Sequence, residues 1–139
     1  MRLVVDTNVL VSAFLWQGTP GRLIELAGEK EIQLFTSGAL IDELSKVLRR
    51  KKLAKPVQAT GLSPEQIIGN YLRLAELVTT RQLAQRVSRD VDDDTVLACA
   101  LTANADLIVS GDDDLLELKT YQGIPIVSAA EALTHLPQR

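Results

Sequence analysis

The apolar run Leu3-Val4-Val5 is followed at once by Asp6, after which Val9, Leu10 and Val11 resume the hydrophobic series. A short continuous apolar run suits a buried strand, and apolar residues three and four apart suit a helix. The pattern predicts a strand over 2–5 and a helix reaching to about Trp16. GTPG at 18–21 reads as a turn, and RLIELAGEK as a second helix ending near Gly28. IQLFTS at 32–37 predicts a second strand, behind which Leu40, Ile41, Leu44, Val47 and Leu48 recur at helical spacing. RRKKLAKPVQATGLSP is polar, basic and broken by Pro56, Gly61 and Pro64, so it reads as a helix end plus a connector. In SPEQ at 63–66 the order serine, proline, glutamine forms a capping box. The helix it opens is predicted through Ile67, Ile68, Tyr71, Leu72, Ala75 and Val78. A helix over 95–104, strands in 106–111 and 123–128, and a short helix near AAEALTHL complete the chain.

Strands that are apolar throughout and separated by helices indicate a parallel sheet covered on both faces. A single domain over 1–139 accommodates them all. In such sheets ligands gather at the carboxyl ends of the strands. Asp6 stands at one such end, and Ser110-Gly111-Asp112 at another.

Composition narrows the function classes. The chain is 46% hydrophobic, enough for a core without staples, and its single cysteine, Cys99, excludes an internal disulfide and a cysteine zinc cluster. Cys99 lies in the apolar LACAL stretch and is expected in the core. The start MRLVVDTN has no signal-peptide pattern and no run approaches membrane-spanning length, so a cytoplasmic protein without membrane contact is expected. The net charge of −3 removes a global basic footprint, and 4% aromatics argue against a base-stacking platform.

The acidic positions carry the candidate chemistry. With the stripe of its helix centred on Leu44, Asp42 points roughly 160° away to solvent, while Glu43 lies about 100° off, on the flank. Asp92-Asp93-Asp94 precedes an apolar helix, where one aspartate could cap and three exceed that need. Helical phasing sets both Asp93 and Asp94 inward and does not choose between them. Asp112 follows its strand directly, and Asp113 and Asp114 begin a helical turn. Two unit charges 4 Å apart repel by about 4 kcal/mol at an effective dielectric of 20. Several such pairs would rival the whole stability of a domain, about 5–15 kcal/mol. A convergent set must therefore take up protons or a cation, and all-oxygen donors suit Mg²⁺ or Mn²⁺ and not zinc. The one histidine, His135, is expected on the surface near the C-terminus. A hard cation in such a site suits phosphoryl chemistry, by polarising the phosphoryl oxygen and activating water.

Four segments in this order, VVDTNVLVSA, SGALIDELSKVL, DVDDDTVLACALTANAD and LIVSGDDDLLEL, resemble a PIN domain over almost the entire chain, from residue 2 to about 134. The resemblance implies a three-layer α/β/α sandwich around a parallel sheet of four or five strands. It implies a divalent-metal-dependent ribonuclease whose catalytic and metal-holding carboxylates fall on Asp6, Glu43, Asp94 and Asp112, with Asp93 in reserve. Asp114 matches a further acidic position of some members. Thr7, Asn8 and Ser110 match polar residues that support the carboxylates or a bound water, serine standing at 110 for the family's usual threonine. Many bacterial members resemble VapC-type toxins paired with a small antitoxin.

The expectation is hydrolysis of RNA phosphodiesters, with one or two Mg²⁺ or Mn²⁺ ions held by Asp6, Asp94 and Asp112 and with Glu43 binding water or a second ion. RRKKLAK at 49–55 supplies cations for phosphate contact, chiefly Arg49, Arg50, Lys51 and Lys52, with Arg50 phased to the flank of Glu43. Arg81, Arg86 and Arg89 form a second, looser basic group. A homodimer would gather this charge around a groove. A phosphatase of the haloacid dehalogenase type fits poorly, because Asn8 stands where a second aspartate is needed. A response-regulator receiver fits poorly as well, because Gly111-Asp112, and no lysine, follow Ser110. A non-catalytic metal-, RNA- or protein-binding module is the other alternative.

Overall fold

The computed structural model describes residues 1–80 and 91–136, with backbone alone at 91 and 92. Arg81, Arg86 and Arg89 lie outside the described residues. β1 (Arg2–Val5) feeds α1 (Thr7–Leu15) through Asp6, whose extended backbone and side-chain acceptor make it the N-cap. α2 (Gly18–Gly28), β2 (Gln33–Ser37) and α3 (Gly38–Leu48) follow. A 3-10 turn at Lys51–Leu53 leads into α4 (Ala54–Ala59). α5 (Pro64–Leu74) opens on the expected Ser63/Gln66 capping box and runs into β3 (Ala75–Val78). α6 (Val91–Ala103), β4 (Leu107–Val109), α7 (Asp113–Leu118), β5 (Thr120–Tyr121), β6 (Ile124–Val127) and α8 (Ala129–His135) complete the described chain.

The six strands form one sheet in the order β3-β2-β1-β4-β6-β5, parallel except for the two-residue β5, which pairs antiparallel with β6. Alternation within the strands feeds two cores. Leu3, Val5, Leu34, Leu107 and Val109 pack under α1, α2, α3, α5 and α8. Val4, Phe35, Ile108 and Ile126 pack against Val96, Leu97 and Ala100 of α6 and Leu115 of α7. Both faces are covered, which is why these strands read as apolar runs without polar alternation. The chain moves from β1 outward to β2 and β3, then returns to β4 on the other side of β1. Its direction switches between β1 and β4, so their carboxyl ends open a crevice there.

Four local expectations need correction. Residues 75–78 are an edge strand and not the end of a helix, because pairing with β2 through Leu34↔Ala75 and Thr36↔Leu77 overrides the helical periodicity. GTPG is the first turn of α2; the reversal falls on Gln17 and Gly18, both at positive φ, and Pro20 needs no N–H partner in a first turn. The connector after Arg50 is largely helical, held down by buried Leu53 and Val57. The aspartate triplet lies within the first turn of α6 and not ahead of it.

Candidate active site at the carboxyl edge of the sheet

Asp6, Thr7, Thr36, Ser37, Asp93, Asp94 and Ser110 are the buried polar and charged residues among those described. Every one sits just past or at the end of β1, β2 or β4, or in the first turn of α6. Burying a polar group costs free energy unless it is hydrogen-bonded, so concentrating them at one edge needs a cause.

Asp6 is held from two sides. Its Oδ1 accepts the Thr7 N–H at 2.8 Å and its Oδ2 accepts the Ser110 hydroxyl at 2.8 Å. The Asp6 N–H donates to the Val109 carbonyl at 2.8 Å, fixing it against β4. The Ser110 hydroxyl in turn accepts the Asp112 N–H at 3.0 Å, so one fully buried oxygen joins the two strand-end aspartates. Asp112 caps α7, its Oδ1 accepting N–H from Asp114 at 2.8 Å and Leu115 at 3.3 Å. Those two bonds fix the rotation of the carboxylate.

Ligand-capable oxygens of Asp93, Asp112 and Asp114 lie within 4.8 Å of one another. Asp93 is buried, Asp112 half-buried and Asp114 exposed. The Asp93–Asp112 repulsion at that spacing is about 3.5 kcal/mol at an effective dielectric of 20, and water screens Asp114 further. Three carboxylates that close offer hard oxygen donors at a spacing one divalent cation can span, so the donor set fits Mg²⁺ or Mn²⁺.

Asp94, expected as the ligand ahead of Asp93, is buried one position along α6. Both aspartates are buried in the first turn of α6, and they differ in how their helical stripes are covered. Residues 96, 97 and 100, three, four and seven after Asp93, are each 0% exposed, whereas Leu101, seven after Asp94, is half-buried. Glu43 is half-buried on α3 with Oε2 enclosed by protein, and its neighbour Asp42 is exposed as the phasing required. Thr7 supports Asp6 through its backbone, while its own buried Oγ1 has no partner among the described residues. Asn8 is exposed at the start of α1.

Sequence reasoning overlooked Thr36 and Ser37. A signal was present: β1 ends on Asp6-Thr7, β4 on Ser110, and β2 on Thr36-Ser37, each apolar run giving way to polar residues. The basic run divides. Arg49 donates to Glu65 at 2.6 Å and to Ser45 at 3.2 Å, tying α3 to α5. Arg50, Lys51 and Lys52 are exposed and form no ion pair among the described residues. α3 ends at Leu48, so the helical phase of Glu43 does not extend to Arg50. Cys99 is fully buried as expected, and burial pushes its thiol up to about 12. His135 is exposed in the last turn of α8. No helix among the described residues is long and apolar enough to cross a membrane.

A mostly parallel sheet covered by helices on both faces, with acids gathered at its switch point, defines a three-layer α/β/α domain with an acidic site. Residues 2–114 match the PIN-domain family, and the chain belongs to it. PIN domains are generally nucleases that use divalent metals. The chain is 28% identical over 129 residues to an uncharacterized protein of Methanocaldococcus jannaschii, covering 86% of this chain and 76% of that one. Its fold is similar to a chain in the crystal structure of VapBC2 from Rickettsia felis bound to a DNA fragment from their promoter. The TM-score is 0.61 at 16% identity, over 91% of this chain and 97% of that one.

Proposed function

We propose that this PIN domain is a divalent-metal-dependent endoribonuclease, working in the cytoplasm as the toxin of a toxin–antitoxin pair. The observation that carries the reading is the convergence of Asp93, Asp112 and Asp114 at the switch point, beside Asp6 locked through Ser110. Asp93, Asp112 and Asp114 would hold Mg²⁺ or Mn²⁺, with Asp6, Glu43 and Asp94 flanking. When bound, the cation would polarise a phosphoryl oxygen and lower the pKa of attacking water. The chain's own groups do the positioning. The Ser110 hydroxyl fixes Asp6 relative to Asp112, and the N–H groups of Asp114 and Leu115 fix the Asp112 carboxylate. Arg50, Lys51 and Lys52 would meet the phosphates of a single strand, which the net charge of −3 would otherwise repel.

The test is cleavage of single-stranded RNA with Mg²⁺, Mn²⁺ or EDTA, beside Asp6→Asn, Asp93→Asn, Asp94→Asn and Asp112→Asn. Equal cleavage in all of them would end the nuclease reading. Mn²⁺ binding without cleavage would instead identify a non-catalytic module. The similarity to a VapBC2 chain supports a small antitoxin partner. Purification from the native cell should return that partner, with the PIN chain as a homodimer by light scattering; an isolated monomer would count against both.

A further inference from the structure

At the opposite end of the strands from the acidic group, the sheet carries a cleft of about 390 Å³, within the range of about 300–1,000 Å³ usual for small-molecule sites. It lies where two helices stop beside the start of β2. α2 ends at Gly28, and Lys30, at a φ of 62°, turns the chain back toward the sheet so that Ile32 enters the core. α5 ends at Leu74, and β3 first meets β2 at Leu34↔Ala75. Gln33 therefore has no β3 residue opposite it, and the cleft occupies the space beside it, between the two helix ends.

The lining has two parts. Ala27, Ile32, Leu34 and Phe35 are buried and back the cleft with apolar groups. Lys30, Arg73 and Glu76 are exposed on its walls, and none of the three forms an ion pair among the described residues, whereas Arg22 and Arg49 are each paired with a glutamate. A neutral apolar ligand would desolvate the two cations without compensation. A small inorganic anion would leave the apolar backing unused. A ligand with several negative charges would be repelled by Glu76. One negative charge on an apolar body meets all three conditions. We propose that the cleft binds a small monocarboxylate with an apolar chain, its carboxylate held by Lys30 and Arg73 and its chain laid on the residues behind them. Glu76 then selects one negative charge over two.

The experiment is a calorimetric titration of the full chain, below the micellar range, with decanoate, octanoate, decyl phosphate and decyltrimethylammonium. Decanoate should bind one to one, and about tenfold more tightly than octanoate, the scale of two buried methylenes. Decyltrimethylammonium should bind at least about tenfold more weakly than decanoate. The Lys30→Gln/Arg73→Gln double variant should keep its Tm, because both side chains are exposed, and should weaken decanoate binding at least about tenfold, the scale of a hydrogen bond to a charged group. Glu76→Gln should strengthen decyl phosphate more than decanoate. No binding of decanoate, equal binding of the cationic amphiphile, or binding untouched by the double variant overturns the proposal. An equal response of decanoate and decyl phosphate to Glu76→Gln overturns the selection of a single charge.

Discussion

The two edges of the sheet treat charge in opposite ways. At the amino edge, the Arg2 N–H donates to Asp106 at 2.7 Å, its Nε donates to the Ala103 carbonyl at 2.8 Å, and its guanidinium lies 4.2 Å above the Phe35 ring centre. A cleft of about 390 Å³ beside it is lined by Lys30, Arg73 and Glu76, cations and an acid together. At the carboxyl edge the group that shares space is acidic throughout. The first edge balances itself with groups the chain already carries. The second gathers the like charges of Asp93, Asp112 and Asp114, which a bound cation would draw together, and Ser110 and the cap of α7 hold Asp112 in that group.

The largest expected effect follows from that difference. Asp112→Asn or Asp93→Asn should reduce RNA cleavage by at least about 10²-fold, the scale of removing one preorganised electrostatic group. Glu76→Gln, at the amino edge, should leave the rate unchanged. Mn²⁺ at a hundred times its Kd should stabilise the unsubstituted chain by about 2.7 kcal/mol, and Asp112→Asn should lose most of that. Equal Mn²⁺ stabilisation in Asp112→Asn and the unsubstituted chain would erase the contrast between the edges.

Next in size is the effect of removing the cations proposed to meet phosphate. Replacing Arg50, Lys51 and Lys52 by Gln should flatten the salt dependence of single-stranded RNA binding by about 0.7 for each phosphate that is no longer neutralised. Lys30→Gln with Arg73→Gln should leave the slope alone. If the second pair flattens the slope and the first set does not, the strand crosses the amino edge.

A third effect belongs to Cys99, beneath the carboxyl edge. Burial pushes its thiol from 9.0 up to about 12. Folding therefore favours the protonated form: the contribution is complete below pH 9.0 and is lost as the unfolded chain deprotonates first and pH climbs toward about 12. Urea unfolding of the unsubstituted chain should lose up to about 1.4 kcal/mol per pH unit more than Cys99→Ala in that window. Parallel curves would mean that the thiol is not shielded as its burial implies.

How much of this was legible in the chain depended on which force decided each element. Strands β1, β2, β4 and β6 carry their own burial pattern, because both faces are covered and their central residues must be apolar. β3 does not, because AELV at 75–78 continues a helical stripe and becomes a strand only by pairing with β2. The strand-end residues Asp6, Ser110 and Asp112 stood out because an apolar run stops on them. Between Asp93 and Asp94 the chain offered no choice, because helical phasing sets both inward, and both are buried in the first turn of α6. Thr36-Ser37 obeyed the same run-then-polar rule as the other strands but carries no charge, and uncharged hydroxyls draw attention only when their burial is seen.

The smallest effect sharpens the contrast most directly, since it concerns a carboxylate that does have its cation. Arg49 beside Glu65 holds that carboxyl below its ordinary value of 4.5. A depressed carboxylate contributes stability above its unfolded pKa, and the contribution disappears as pH falls through the folded value. Glu65→Gln should therefore destabilise slightly at pH 7 and not at all at pH 2 to 3, an amount near the limit of measurement because the pair is open to water. Asp114→Asn without divalent cations should have the opposite sign at pH 7, raising stability slightly, because it removes one like charge from the group of three carboxylates. Urea unfolding of both variants in EDTA at pH 7 tests the two signs side by side. If Asp114→Asn were destabilising under those conditions by more than Glu65→Gln, the three carboxylates would not be repelling one another and the contrast between the two edges would fall.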